Sequence, residues 1–421
     1  MAVLAVRGLA SLATPTGARA RTGGDQGRIT RIEGASVRIE DGVFTFVGTD
    51  DAFVRRFGDR EPFVDGKGKT ALPGFVDPHT HLPWAGFREG EFNQRLKGKT
   101  YAEIAAGGGG IVATVDATRR ASVEELSSNV AARLDRMLLH GTTLCEAKTG
   151  YGLELQAELK QLHAILAGAA GHPVTVIPTA LPAHELPVER RGSDALRRRY
   201  VDECCHEILP ALAAGGARFV DVFCETGVFD LAESRAVLEA GKALGLVPRL
   251  HADELTPLGG ARLAAETGAL SADHLLYAQP DGIEAMAAAG VVATLLPGTS
   301  VFLRMNRYAP ARDMIRAGVA VALGTDCNPG SSYTESLPAV AFFAALGMGL
   351  TVEEVLTAMT LNAAAAVGEA ARRGSLEVGK VGDVVLIDGP SVEHLVYHYG
   401  VNPVTDVVVA GRPVVTGGRR V

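Results

Sequence analysis

With 421 residues, 47% hydrophobic and 21% charged, the chain has the composition of an ordinary folded protein and is long enough for a barrel of roughly 250 residues plus a smaller unit. Its net charge of -7 and pI near 5.9 speak against nucleic acid or an anionic membrane as the main partner, because both require a basic surface. No apolar run is long enough to span a bilayer, so the expected partner is a small-molecule substrate, with no nucleic acid and no membrane.

The opening residues, MAVLAVRGLASLATPTGARARTGG, carry arginines and no acids, as transit peptides do. No apolar core of sufficient length follows a basic start, so Val3 to Leu12 is read as a first strand and turn instead. From Ile29 to Val54 short alternating runs are broken at Gly34 and at Asp41-Gly42, the second a good hairpin signal.

Between about Leu72 and Ala370, apolar runs alternate with Ala/Leu/Glu-rich stretches of helical period, the pattern of repeated βα units. Eight runs qualify as strands: LPGFVDPH, TTLCEA, VTVIPTAL, FVDVFCE, VPRLHADE, SADHLL, VVATLLP and VAVALGTD. Eight is the number that closes a (β/α)8 barrel. The β pattern then returns in VVLID and in DVVVAGRPVVTGG, which Ala410-Gly411 divides. The expected architecture is an α/β chain: a (β/α)8 TIM barrel over 71–370, with a small β-sandwich domain assembled from residues 1–70 and 371–421. Cys145, Cys204, Cys205, Cys224 and Cys327 are odd in number and form no CxxC pair, so neither a disulfide framework nor a zinc knuckle is indicated. A reducing cytoplasm is the expected home.

His79, His81, Glu146, His184, Glu225, His251, Glu254, His274 and Asp326 all fall at or just past the C-terminal ends of those runs. In such barrels the active site is built at that face, so all nine are expected at one mouth. His79 and His81 are two residues apart, and on an extended strand both imidazoles project to the same side. A third imidazole from His251 and the Asp326 carboxylate would complete a site that suits zinc and iron alike.

On the HxH of PGFVDPHTHLPW and on HADE, ADH and GTD, the sequence resembles the amidohydrolase superfamily. The resemblance implies a metal held by His79, His81, His251 and Asp326, with His274 on the sixth strand, and a β unit made from both termini. Two-metal members usually carry a bridging lysine on the fourth strand, where this chain has Phe223-Cys224-Glu225, so one Zn2+ or Fe3+ per subunit is expected.

WAGFREGEFNQRLKGKTYAEIAAGGGGI, EAKTGYGLE, DVFCETGVFD, HADE and GTDCNPGSS together resemble the branch of that superfamily that opens an imidazolone ring bearing a propionate tail, in histidine degradation. That resemblance implies that Arg88, Tyr151, His184, Glu254, Asn328, Gly330 and Ser331 hold the substrate or product. Arg88 offers a planar fork for the carboxylate. Tyr101 could add a hydroxyl, and Gly107 to Gly110 would allow close backbone approach. Trp84 and Phe87 stand where the family more often has smaller residues, and Leu181-Pro182 where it tends to have glycine, which puts the pocket's shape in question.

For the chemistry, Glu254 and Asp326 are the candidates for moving protons, and His184 or His274 for stabilising an oxyanion. The nearest alternative is a deaminase of the same superfamily, acting on a neutral base with no carboxylate for Arg88 to meet. A metal-free barrel that only binds ligands is the alternative from another class, and the full set of ligands argues against it. A homodimer is the expected assembly on the frequency of two-fold dimers.

Overall fold

The structure, a computed structural model, describes residues 2–99, 103–104 and 109–421; Tyr101, Gly107 and Gly108 lie outside the described residues. The N-terminal strands are β1 (Val3–Thr14), β2 (Thr30–Glu40), β3 (Val43–Thr49), β4 (Phe63–Asp65) and β5 (Lys69–Pro73). Eight strands then alternate with helices: β6 (Phe75–Asp77), β7 (Thr142–Lys148), β8 (Thr175–Ala183), β9 (Phe219–Cys224), β10 (Val247–Ala252), β11 (Ser271–His274), β12 (Val292–Leu295) and β13 (Val321–Leu323). The C-terminal strands are β14 (Val384–Asp388), β15 (Val404–Val409), β16 (Arg412–Thr416) and β17 (Arg419–Arg420).

Strands β6 to β13 pair in sequence order, all parallel, as βα units require. The seam between first and last is joined just beyond the strands: His79 O accepts from Asp326 N at 3.0 Å, and Cys327 O accepts from His81 N at 3.1 Å. Two of the metal-ligand candidates therefore face a third across the closure of the barrel. The strands read as near-continuous apolar runs because side chains on both faces are buried, as in β7, where all of TTLCEAK is buried. Helices begin where the sequence supplies caps: Asp230 with Glu233 and Thr351 with Glu354 each form a reciprocal capping box. Among the described residues, no helix is long and apolar enough to cross a membrane.

Both termini meet in one mixed sheet of nine strands, in the order β17-β16-β15-β14-β5-β1-β2-β3 with β4 beside β1. Its own core includes Val6, Leu12, Val37, Ile39, Val384 and Val408. Asp41 and Gly42, at φ of 48° and 84°, form the turn between β2 and β3. Gly34 does not end its strand. It lies beside a bulge between Val6 and Leu9, takes a φ of 56°, and β2 runs on. The first expected barrel strand divides at Gly74: Leu72 and Pro73 pair with Val385 and Val384 in the terminal sheet, and β6 starts at Phe75.

The connection from β1 is fastened to the base of the barrel by side-chain amides. Gln26 accepts from Val321 N at 3.0 Å and donates to Val321 O at 3.2 Å, standing in for a strand neighbour at the start of β13. Asn362 accepts from Arg21 N and donates to Arg21 O and Val321 O. Both amides are fully buried. Gln26→Ala orphans the Val321 N–H far from the catalytic mouth, so it should cost about 1–3 kcal/mol, seen as a lower urea midpoint with kcat/KM unchanged.

Candidate active site

From β6 the chain continues extended through His79, Thr80 and His81. Thr80 is clamped between the histidines by β7: its N–H donates to Glu146 Oε2, its hydroxyl to Glu146 O, and its carbonyl accepts from Lys148 N. His79 Nδ1 lies 2.7 Å from Asp273 Oδ2, and His251 Nδ1 lies 3.0 Å from Asp221 Oδ2. A carboxylate can only accept, so both rings carry their proton on Nδ1 and turn an Nε2 lone pair the other way. Those two Nε2 atoms are buried and without a hydrogen-bond partner, as is Asp326 Oδ1.

These orphaned atoms converge. Asp326 Oδ1 is 3.5 Å from the Nε2 of both His79 and His81. The donor atoms of His79, His81 and His251 lie within 4.8 Å of one another, as do those of His79, His274 and Asp326. Asp326 is aimed by Thr299 and Ser331, whose hydroxyls donate to its other oxygen at 2.8 and 3.2 Å. Unpaired buried polar atoms cost free energy unless something satisfies them, and three imidazoles with one carboxylate are a donor set for zinc or iron. The residues fit the expected metal.

His274 stands beside this cluster, its ring 5.2 Å from that of His251 and its Nε2 3.6 Å from Glu254 Oε2. Burial, then the negative charges of Asp326 and Glu225, push the Glu254 carboxyl up to about 8. His274 and Asp326 both sit at positive φ, 73° and 52°, where the chain leaves its strand. That sparsely populated backbone region is often held at functional sites.

A cavity of about 480 Å³ opens from the cluster and is lined by His81, Arg88, Tyr151, His184, His251, Glu254, His274, Asp326, Asn328, Gly330 and Ser331, among others. It therefore brings together the expected substrate-binding residues. The Arg88 guanidinium donates twice to Glu91 Oε2, at 2.9 and 2.8 Å, and lies across Gly330, where a Cβ would overlap its Nη1. Arg95 fixes the same turn by donating to Gly330 O at 3.0 Å. Asn328 lines the cavity and also shapes the loop it stands on. Its Oδ1 accepts from Gly330 N and Ser331 N while its Nδ2 donates to Asp326 O and Ser331 Oγ, so the amide is engaged in shaping its own loop.

His184 Nδ1 lies 3.0 Å from Gly150 O, which makes Nδ1 the protonated nitrogen and Nε2 an acceptor. Burial and the nearby His251 hold this imidazole down at about 3, so it stays neutral. In this tautomer the Nε2 of His184 can accept a hydrogen bond from a ligand. The loop carrying Tyr151 is pinned by Glu158, which accepts from Gly150, Gly152 and Leu153 N, and by Gln161, which accepts from Tyr151 N.

Two acids expected at the mouth are elsewhere. Glu146 is buried below the ligands, its Oε1 2.8 Å from Lys148 Nζ. Glu225 accepts from Leu255 N and Thr226 N and holds the turn that presents Glu254. Trp84 and Phe87 do not shape the cavity: Trp84 is fully buried beneath Arg133, and Phe87 is 68% exposed beside Tyr333. Leu181 and Pro182 are likewise absent from its lining.

The sequence reading missed the layer under the cluster: Lys148, Asp221, Arg249 and Asp273, all fully buried. The signal was there. Asp221 lies two residues before Phe223 and Arg249 two before His251, on the inward side of their strands.

The amidohydrolase family model matches residues 70–414. Imidazolonepropionase of Geobacillus kaustophilus is 51% identical over 392 residues, 92% of each chain. That of Brevibacillus brevis is 48% identical over 421 residues, 98% of each chain. Among solved structures, an atrazine chlorohydrolase of Arthrobacter aurescens complexed with zinc superposes with a TM-score of 0.74 at 20% identity, covering 99% of this chain and 96% of that one. An adenosine deaminase of Xanthomonas campestris with bound zinc gives 0.67 at 20% identity, covering 99% and 94%. At that identity the likeness speaks for the fold alone. The chain belongs to the amidohydrolase family and, within it, to the imidazolonepropionases.

Proposed function

We propose that this chain hydrolyses 4-imidazolone-5-propanoate to N-formimidoyl-L-glutamate, a step of histidine degradation, with one Zn2+ or Fe3+ held by His79, His81, His251 and Asp326. The observation that carries the reading is Arg88, a guanidinium in the wall of the same cavity as the ligand cluster, which gives the propionate tail a cation to meet. The names of the relatives support it. When bound, the metal supplies an activated water and polarises the ring carbonyl.

The chain's own residues do the rest. Arg88 anchors the tail, and Gly330, Ser331 and Tyr151 line the space between it and the cluster. His184 offers its Nε2 to a ring N–H. His274 faces the oxygen that gains charge. Water adds to the ring carbonyl carbon, the bond from that carbon to the ring nitrogen breaks, and the nitrogen leaves with a proton. Glu254 and Asp326 are the groups placed to take a proton from the water and return one to the nitrogen. The five cysteines are free and buried, which supports a reducing cytoplasm as the place of action.

The direct test is mass spectrometry of the purified protein with the imidazolone generated in place from urocanate. The expected product has the substrate's mass plus one water, and stripping the metal abolishes it; unchanged substrate with metal bound would overturn the reading. Glu254→Gln should lower kcat by about 10²–10⁴-fold with KM changed little, because it leaves the ligands and Arg88 in place.

For Arg88→Met, loss of a buried charge pair costs about 2–5 kcal/mol and should appear mainly as a rise in KM. Gly330→Ala should shift KM in the same direction and by less, since it displaces the guanidinium without removing it. An unchanged KM in both variants would place the propionate elsewhere.

A further inference from the structure

Lys148 sits on the second barrel strand, fully buried, and no step of the proposed reaction uses it. Its ammonium is 2.8 Å from Glu146 Oε1, 2.8 Å from Asp221 Oδ2 and 3.9 Å from Asp273 Oδ2. Asp221 is the partner of His251, and Asp273 is the partner of His79. The Asp273 oxygen that faces Lys148 also accepts from Arg249 Nη2 at 3.0 Å. One ammonium thus touches both carboxylates that set the tautomers of two metal-ligand candidates. It lies on the side of those carboxylates away from the cavity, since neither Lys148, Asp221, Asp273 nor Arg249 lines it.

A side chain in this place can act in two ways. It can merely balance buried negative charge, in which case any change that keeps the balance is tolerated. It can also locate the carboxylates, because an ion pair in a dry interior holds its partners at fixed distance and direction. The geometry separates the two. Arg249 already neutralises Asp273 and is itself held by Pro78 O and Ala366 O. Asp221 Oδ1 accepts from Val222 N at 2.7 Å and His251 N at 3.1 Å, whereas its Oδ2 lies 3.0 Å from the His251 Nδ1 it must orient and 2.8 Å from Lys148. Among the described residues Lys148 is the cation on Asp221 Oδ2, so its loss leaves the carboxylate tethered at Oδ1 and free to turn Oδ2 away from His251.

We propose that Lys148 is a positioning residue for the metal: it holds Asp221, and with Arg249 it holds Asp273, so that His251 and His79 keep their Nε2 lone pairs aimed at the ion. This rests on the assignment of His79, His81, His251 and Asp326 as the ligands. The outer partners of metal-binding histidines typically change metal affinity 10- to 100-fold, which sets the size of the expected effect.

The test is the release of Zn2+ from the zinc-loaded enzyme to a chromogenic chelator. Stoichiometric Zn2+ in the parent protein checks the ligand assignment separately; its absence would sink that assignment and not the role of Lys148 alone. The charge-neutral exchange Glu146→Gln with Lys148→Met keeps the balance of buried charge and should still release Zn2+ about 10- to 100-fold faster. Adding Asp221→Asn to it should accelerate release by less than the same change does in the parent, because both act through the Asp221 carboxylate. Release at the parent rate from a folded exchange variant, or a full multiplication of the two effects, overturns the proposal. Should the exchange variant fail to fold, Lys148→Arg keeps the charge but moves it, and is read in the same way: faster release supports positioning, the parent rate refutes it.

Discussion

The site depends on the hydrogen bonds from Asp273 to His79 and from Asp221 to His251. An imidazole offers a metal one nitrogen at a time, and which one is decided by what the other is doing. Two carboxylates in the barrel interior make that decision before any ion arrives. They impose a cost. Buried charges are tolerated only when paired, so Lys148 and Arg249 are drawn into the same layer, and both are fully buried with them. Even so, Glu146, Asp221 and Asp273 face only those two cations, and Asp326 adds another carboxylate above. Such surroundings favour a cation beside them.

The barrel explains how such a layer can be assembled. Inward side chains on neighbouring parallel strands fall into rows, and His251 is in register with Phe223 across β9 and β10, which sets its partner Asp221 two positions nearer the base. A residue two positions nearer the base therefore supports a residue at the mouth. The ligands come from strands one, five and eight, so no local segment could hold the set without the closed sheet. Where the chain leaves β11 and β13 it turns through left-handed φ at His274 and Asp326. Backbone in that region costs roughly 1–3 kcal/mol per residue, and here it is fixed by the strand below and the seam beside it.

Most of this fold, and the gathering of the candidate ligands at one place, was legible in the sequence for one physical reason. Strand ends are marked by a switch from apolar runs to polar residues, and His79, His81, His251, His274 and Asp326 sit on that switch. What was not legible was depth. Glu146 and Glu254 look alike as acids at strand ends, yet the first lies below the cluster against Lys148 and the second lines the cavity. Only the register of each strand in the closed barrel separates them. Loop architecture was hidden as well. Asn328 lines the cavity, and its amide also ties together Gly330, Ser331 and Asp326, a network that exists only once the loop has folded. Trp84 put the pocket's shape in question, and it packs under Arg133, outside the cavity's lining.

The loop after the eighth strand joins the two halves of the chemistry within six residues. Asp326 begins it as a metal-ligand candidate. Asn328 bends it, Gly330 leaves room for Arg88, and Ser331 returns a hydroxyl to Asp326. The spacing between the candidate ligand Asp326 and the Arg88 guanidinium is thereby built into one short turn rather than left to two independent loops. Fold alone does not choose a reaction, since the same barrel serves many. A barrel with this ligand set could in principle act on any ring that a metal-activated water can attack. The residue that narrows the choice is the arginine resting on Gly330: Glu91 takes its Nε and Nη2, and the guanidinium still lines the cavity, where an anionic tail has a cation to meet and a neutral substrate makes no use of it.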